Sequence, residues 1–260
     1  MQYNEIINRL KLWLRNTAEV YEKVYQKHGG VTYIGYILAN EWLFKLSMLI
    51  DKNFESKDDL RNTILNLHHV HYEESVRNPK NETANYIIEK INAEFFEYLE
   101  EMLSQKENLP PVDIPYYRVI TGEEAEDLLE KFRKIWGYDG TDYWFPLTSK
   151  KAKEVSEKFF IAFDYIEPYI KQIEQIIGLP QAHIYCCDEE SFLYPKYCVE
   201  TAEMIEYSAG ECFYTDKDFS WAIYFSHEDT VSFAGTIVPK IKELLKKEEA
   251  HWNRWEYDWD

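Results

Sequence analysis

ECFYTDKDFSWAIYFSHEDTVSFAG, from Glu211 to Gly235, is the strongest β signal in the chain. Phe219, Trp221, Ile223 and Phe225 fall on one side of an extended strand, and Ser220, Ala222, Tyr224 and Ser226 on the other. The polar tip His227-Glu228-Asp229 follows, and Val231 and Phe233 then alternate again. A side-chain period of two, broken by a short polar turn, predicts a hairpin on a half-buried sheet.

The segments around it read as cover and partners for that sheet. Tyr116–Ile120, Tyr143–Leu147 and His183–Cys187 are predicted strands, while Tyr197–Tyr207 stays open between helix and strand. Thr121 with Glu124 forms a capping-box pattern ahead of a helix striped by Ala125, Leu128, Leu129, Phe132, Ile135 and Trp136. A long helix is expected from Ser149, striped by Val155, Phe159, Phe163, Ile166, Ile170, Ile173 and Ile177. Pro168 should kink it, and Gly178 with Pro180 should stop it. A last helix is expected from about Val238, with Ile241, Leu244 and Leu245 inward. The tail HWNRWEYDWD, residues 251–260, carries three Trp and is expected to dock back onto the fold.

The first hundred residues have a different period. Ile6, Leu10, Trp13, Leu14, Val20, Tyr21, Val24 and Tyr25 recur at helical spacing until Gly29-Gly30. Residues 31–50 are apolar on nearly every side, which describes a helix buried among several neighbours. Ser56 with Asp59 marks the start of a helix over 57–72. After Asn78-Pro79, Tyr86, Ile87, Ile91, Phe95, Tyr98, Leu99 and Met102 mark another. SQKENLPPVDIP, Ser104 to Pro115, breaks the pattern at Pro110-Pro111. The predicted class is therefore α+β: a helical bundle over 1–106, then an acidic α+β domain over 114–260. Its sheet should be mainly antiparallel, with helices on one face.

Charge is uneven. The 260 residues carry a net charge of −18, and 17% of them are aromatic. Residues 1–109 hold 13 Lys/Arg against 17 Asp/Glu, a net of −4; residues 110–260 hold 16 against 30, a net of −14. So acidic a second half should repel nucleic-acid backbones and anionic membranes and attract a basic protein. Cys186, Cys187, Cys198 and Cys212 form no CxxC and read as small buried residues of a reducing compartment. The first residues lack a signal-peptide apolar core, and no run approaches the ~18–20 apolar residues of a membrane span. The expectation is a cytoplasmic protein with no membrane partner.

Arg61 and His68 lie seven residues apart, which at about 100° per residue returns both to one helix face. A guanidinium there could hold a phosphate while an imidazole moves a 2′-hydroxyl proton. Arg61, the following Asn62 and His68 resemble the Arg-x(4–6)-His motif of the HEPN superfamily, over about residues 1–105. That resemblance implies a helical bundle with metal-independent ribonuclease activity in a toxin–antitoxin or phage-defence system. Arg61 would sit on the phosphate and His68 would act as the base.

His68, His69, His71, Glu73 and Glu74 are dense in potential ligands, yet there is no HExxH and no distant ligand set, so no metal is assigned. Ser226-His227-Glu228-Asp229 contains the residue types of a hydrolase. Consecutive residues on a turn cannot converge as nucleophile, base and orienting group. No GxxxxGK[ST] or GxGxxG occurs, so no cofactor is expected.

Acidic residues cluster around aromatics at 139–144, 188–194, 216–221 and 252–260. Aromatic anchors supply contact area and carboxylates steer a cationic partner. Asp188, Glu189, Glu190, Asp216, Asp218, Glu228 and Asp229 are the candidate partner-binding residues. DFSWAIYFSHEDTVSFAG also resembles, loosely, a C-terminal hairpin of bacterial polymorphic-toxin immunity proteins, over about the last fifty residues. Those are cytoplasmic, acidic α+β proteins that each bind one toxin domain. The leading expectation is thus an immunity- or antitoxin-type inhibitor that occludes a basic toxin or nuclease. The alternative is the HEPN-like ribonuclease, and a homodimer is compatible with both.

Overall fold

The computed structural model describes residues 3–67, 81–105, 109–141, 144, 155, 157–204 and 211–254. The chain is α+β and divides into two compact units, Met1–Ile114 and Pro115–Asp260.

The first unit is built from helices α1 (Asn4–His28), α2 (Tyr33–Ser47), α3 (Lys57–Leu67) and α4 (Glu82–Ser104). Gly29 ends α1 with φ 64°, and a 3₁₀ turn at Gly30–Thr32 leads directly into α2. Ile7, Leu10, Leu14, Leu38, Trp42, Leu46, Leu60, Ile64, Ile88, Ile91, Phe95 and Leu99 fill the core. The buried Trp42 indole donates to Asn92 Oδ1 of α4 at 3.0 Å, and its ring lies 4.5 Å from that of Phe95. The α1 stripe leaves the core after Ala18: Val20, Val24 and Tyr25 are exposed, contrary to the periodicity.

Side chains cap the starts of α3 and α4. Ser56 Oγ accepts from Asp59 N at 3.1 Å, and Asp59 Oδ2 accepts from Glu55 N at 3.0 Å, as the Ser56/Asp59 pattern anticipated. Asn81 Oδ1 accepts from Ala84 N at 3.0 Å at the start of α4. Asn81→Ala is expected to weaken that terminus by about 1 kcal/mol. It should be read as a roughly 5-fold faster amide exchange in the first turn of α4.

Among its described residues the second unit holds a seven-stranded antiparallel sheet. Its strands are β1 (Tyr117–Thr121), β2 (Lys158–Ala162), β3 (Ile184–Asp188), β4 (Tyr197–Thr201), β5 (Cys212–Thr215), β6 (Trp221–Ser226) and β7 (Thr230–Gly235). The order across the sheet is β1-β4-β3-β5-β6-β7-β2. The predicted hairpin is β6–β7, with Ser226 opposite Thr230 and Asp229 at φ 53° in the turn. Gly235 closes it at φ 76°, where a Cβ would press into the Ser220 carbonyl and the Trp221 backbone. Tyr197–Tyr207 resolves in part into a strand, β4.

Three expectations are corrected. First, the sheet is covered on both faces, so every residue of β6 is buried. One face, with Ile120, Cys187, Cys198, Phe213, Ala222, Tyr224 and Ala234, packs on helix α5 (Glu123–Lys131) and on Trp136, Tyr138 and Trp144. On the other face, Phe159 stacks on Phe233 at 5.2 Å, with Trp252 at 5.3 Å and Lys242 of α7 (Val238–Leu244) over its ring.

Second, the long helix predicted from Ser149 does not form over 158–162. Lys158–Ala162 is instead the edge strand paired to β7, and among the described residues of that span 3₁₀ turns at Phe163–Tyr165 and Glu167–Tyr169 lead into the α-helix α6 (Ile170–Ile176). Phe159 and Phe163 fit a helical stripe. The run Phe159-Phe160-Ile161 suits a strand buried on both faces equally well, and periodicity alone cannot separate the two.

Third, α5 has Gly122 as its N-cap and no side-chain cap, because Thr121 is the last residue of β1 and Glu124 pairs with Arg118 at 2.6 Å. The tail docks as expected through Trp252, and Asn253 pairs with the Phe160 backbone, donating its N–H at 2.8 Å and accepting at Oδ1 at 3.1 Å. Residues 255–260 and most of the predicted Tyr143–Leu147 strand lie outside the described residues.

Candidate functional site: the acidic end of the sheet

Strand direction sorts the acidic residues. β3 and β6 run toward Asp188 and Ser226, and β4, β5 and β7 begin at that same end. Asp188, Glu189, Glu190, Glu228 and Asp229 are therefore brought together at one end, joined by Glu211. Asp216 and Asp218, predicted as members of the same set, lie at the opposite end in the β5–β6 turn. Asp216 there accepts from the backbone N–H and the hydroxyl of Ser220, which shapes the turn.

The Asp188 carboxylate is engaged internally. It accepts from Ser191 N at 2.8 Å, Ser191 Oγ at 2.9 Å and the Tyr197 hydroxyl at 3.0 Å. It thus folds the β3–β4 loop, while Glu189 and Glu190 stay exposed on it. Phe192 anchors the loop: its ring lies 5.6 Å from that of Tyr138, and Arg133 sits 5.1 Å over it. Gly140 lies so close to that ring, at φ 76°, that a Cβ would stand 2.6 Å from it. The next two residues turn outward, Leu193 at 63% and Tyr194 at 97% exposure. An exposed aromatic beside exposed carboxylates, on a loop pinned by its neighbour, is the anatomy of a contact residue.

At the hairpin, sequence reasoning missed Glu211. It is 4% exposed, and Oε1 accepts from Ser226 Oγ at 3.3 Å and makes a close contact with His227 Nδ1. Its Oε2 is buried without a partner among the described residues. Burial pushes the Glu211 carboxyl up, against the opposing pull of His227 and Ser226. Ser226 Oγ also accepts from Glu228 N at 3.3 Å, so the hydroxyl serves the carboxylate and the turn. The three side chains are linked through Glu211, not in the serine-to-imidazole order that nucleophilic catalysis needs. Only a β-register argument, which places Glu211 one residue before Cys212 and thus opposite Ser226, could have found this pair.

At the other end, Glu200 of β4 is 4% exposed and gathers Lys217 Nζ at 2.7 Å, Arg118 Nη2 at 3.1 Å and His183 Nδ1 at 3.2 Å. The His183 ring stacks on Tyr116 at 4.0 Å. Lys217, Arg118 and His183 thus meet one carboxylate at this end, whereas Arg133 and Lys196 lie beside the Glu189/Glu190 loop.

In the bundle, Arg61 pairs with Glu100 on α4, both side chains about half exposed. His68 and the following histidine-rich stretch through Glu74 lie outside the described residues. No helix among the described residues is long and apolar enough to cross a membrane. The chain matches no protein-family model, no characterised protein and no solved structure.

Proposed function

We propose that the chain is a protein-binding module, an immunity- or antitoxin-type inhibitor whose acidic sheet end docks on a basic toxin or nuclease. The observation that carries this reading is Tyr194, 97% exposed beside Leu193, on the loop that also presents Glu189 and Glu190. Glu228 and Asp229 stand at the same end of the sheet and extend the negative field. Tyr194 and Leu193 supply apolar contact area, and the carboxylates accelerate encounter with a cationic partner in a salt-dependent way. Asp216 and Asp218 are not part of this face.

The test is affinity capture from bacterial lysate on the wild-type chain and on Glu189→Lys/Glu190→Lys/Tyr194→Ala, followed by association kinetics of the captured protein at several salt concentrations. A basic protein is expected on the wild-type chain alone, with an association rate that falls about 10-fold or more on charge reversal. Capture that the triple substitution leaves unchanged would overturn the assignment of this face. Cleavage of RNA in EDTA that Arg61→Ala abolishes would replace it with the ribonuclease reading.

A further inference from the structure

Five of the eight large apolar side chains that stand exposed among the described residues gather at one end of the first unit: Val20, Val24, Tyr25, Tyr33 and Tyr86. The α1–α2 turn and the start of α4 bring them together. Tyr25 and Tyr33 face each other across that turn with ring centroids 4.9 Å apart, and Tyr33 stacks on Tyr36 at 5.5 Å. The Tyr21 ring lies on Gly35 of α2, where a Cβ would collide with it. Trp13 meets Phe95 and Tyr98 of α4, both at 6.1 Å, and Tyr21, two turns further on, is acted on by Tyr86, Lys90 and Glu94. Helices α1 and α4 thus run antiparallel, and Tyr86 emerges toward the Val20–Val24 end of α1. At about 200 Å² per ring, the exposed parts of the three tyrosines alone offer roughly 300 Å². With two exposed valines in the same region, a surface of that size marks an interaction site.

The charges around this face say what covers it. EVYEKVYQKH, Glu19 to His28, sets Glu19 and Glu22 ahead of Lys23 and Lys27, a net charge of zero in a chain of −18. The pair Val-Tyr recurs one turn apart, at 20–21 and 24–25. A strongly basic partner finds no excess of carboxylate on this stretch, and a strongly acidic one no excess of cation. A second copy running antiparallel finds both signs. A two-fold axis near Glu22–Lys23 sets the Glu19 end of each helix against the Lys27 end of the other. Glu19 holds Lys23 of its own helix at 3.4 Å with both side chains more than half exposed, a weak pair that can be shared with the second copy.

We propose that this face is a self-complementary dimer interface, in which the C-terminal half of α1 packs antiparallel on the same half-helix of a second copy, flanked by Tyr25, Tyr33 and Tyr86. It does not depend on the docking reading, which rests on the second unit. Tyrosine suits such a contact, because its ring supplies apolar area while its hydroxyl stays hydrated at the rim.

The experiment is sedimentation velocity of the full chain over a dilution series. The mass should converge on twice the 31.3 kDa of one chain as concentration rises. Val20→Glu/Val24→Glu brings four carboxylates together across the axis and should raise the dimer dissociation constant about 100-fold or more. Both side chains are exposed in a single copy, so circular dichroism should show unchanged helix content. Glu19→Lys alone and Lys27→Glu alone set like charges against each other and should weaken the dimer about 3- to 10-fold. Glu19→Lys/Lys27→Glu restores opposite charges across the axis and should recover the wild-type affinity within about twofold. A chain that stays monomeric at every concentration would overturn the proposal and leave the face to a different protein. A dimer that Val20→Glu/Val24→Glu leaves intact would place the interface elsewhere. A double charge swap that binds no more tightly than either single one would overturn the antiparallel arrangement.

Discussion

Phe213→Ala is expected to destabilise the second unit by about 3–5 kcal/mol, because it empties the centre of an aromatic cluster. Phe213 lies on β5 in the middle of the sheet and is fully buried. Its ring centroid stands 5.0 Å from Tyr138, 5.2 Å from Trp144, 5.4 Å from Phe132 and 6.0 Å from Tyr224. These partners come from the helical connection after β1 and from the hairpin strand β6, so one side chain ties the face cover to the sheet. Four large rings cannot collapse onto an alanine without leaving their own packing. Amide exchange in β5 and β6 is the measurement, with protection expected to fall by roughly 10²–10⁴-fold, the equivalent of that energy. Phe213→Leu keeps much of the volume and should cost markedly less. A change under about tenfold in Phe213→Ala would mean that the cluster is not what holds this unit together.

The same cluster shows where the sequence was legible. Period-two alternation located β6 and β7, because a strand places every second residue on one face whatever covers it. The alternation could not show that both faces are covered. Ala222 and Tyr224 share a strand side with Ser220 and Ser226, yet they pack in one cluster with Ala125, Leu129 and Trp144. Helix periodicity failed at Phe159 for a related reason. A strand buried on both sides is a short apolar run with no alternation to announce it, and its spacing can also be fitted by a helix.

At the bundle the opposite limit applies. Ile6, Leu10 and Leu14 are core residues, but the same period continues through Val20 and Val24, which are exposed, since a periodic stripe does not state where its partner helix ends. The candidate site was legible only as composition. Glu189, Glu190, Glu228 and Asp229 share one end through strand direction, which no local pattern encodes, and Asp216 and Asp218 are separated from them by the length of β5. Glu211 was invisible for the same reason, because its partner His227 is brought to it by the β5–β6 register.

Glu200→Ala is expected to cost about 3 kcal/mol or more, the loss typical of removing one partner from a buried ionic cluster. Its side chain is 6% exposed and receives three cationic or hydrogen-bonding groups, Lys217, Arg118 and His183, from three separate segments. Arg118 would keep Glu124 at 2.6 Å, but Lys217 and His183 would lose the carboxylate they share.

The pH dependence fixes the sign of the effect. Burial alone would push the Glu200 carboxyl up, and Lys217, His183 and Arg118 outweigh it, so the carboxyl is held below its ordinary value of 4.5. The unfolded chain then takes up the proton more readily than the folded one. The stability that Glu200 contributes is fully present above the ordinary glutamate range and is lost as the pH falls through the lower folded value. Wild type and Glu200→Ala should therefore differ most at neutral pH in chemical denaturation, and their curves should converge as the pH drops below about 4.5. A gap that persists unchanged into acid would mean that Glu200 acts through packing and neutral hydrogen bonds. Glu200→Gln separates the two contributions. It keeps the shape and one acceptor, so it should recover part of the loss at every pH and show none of the convergence, because no carboxyl remains to titrate.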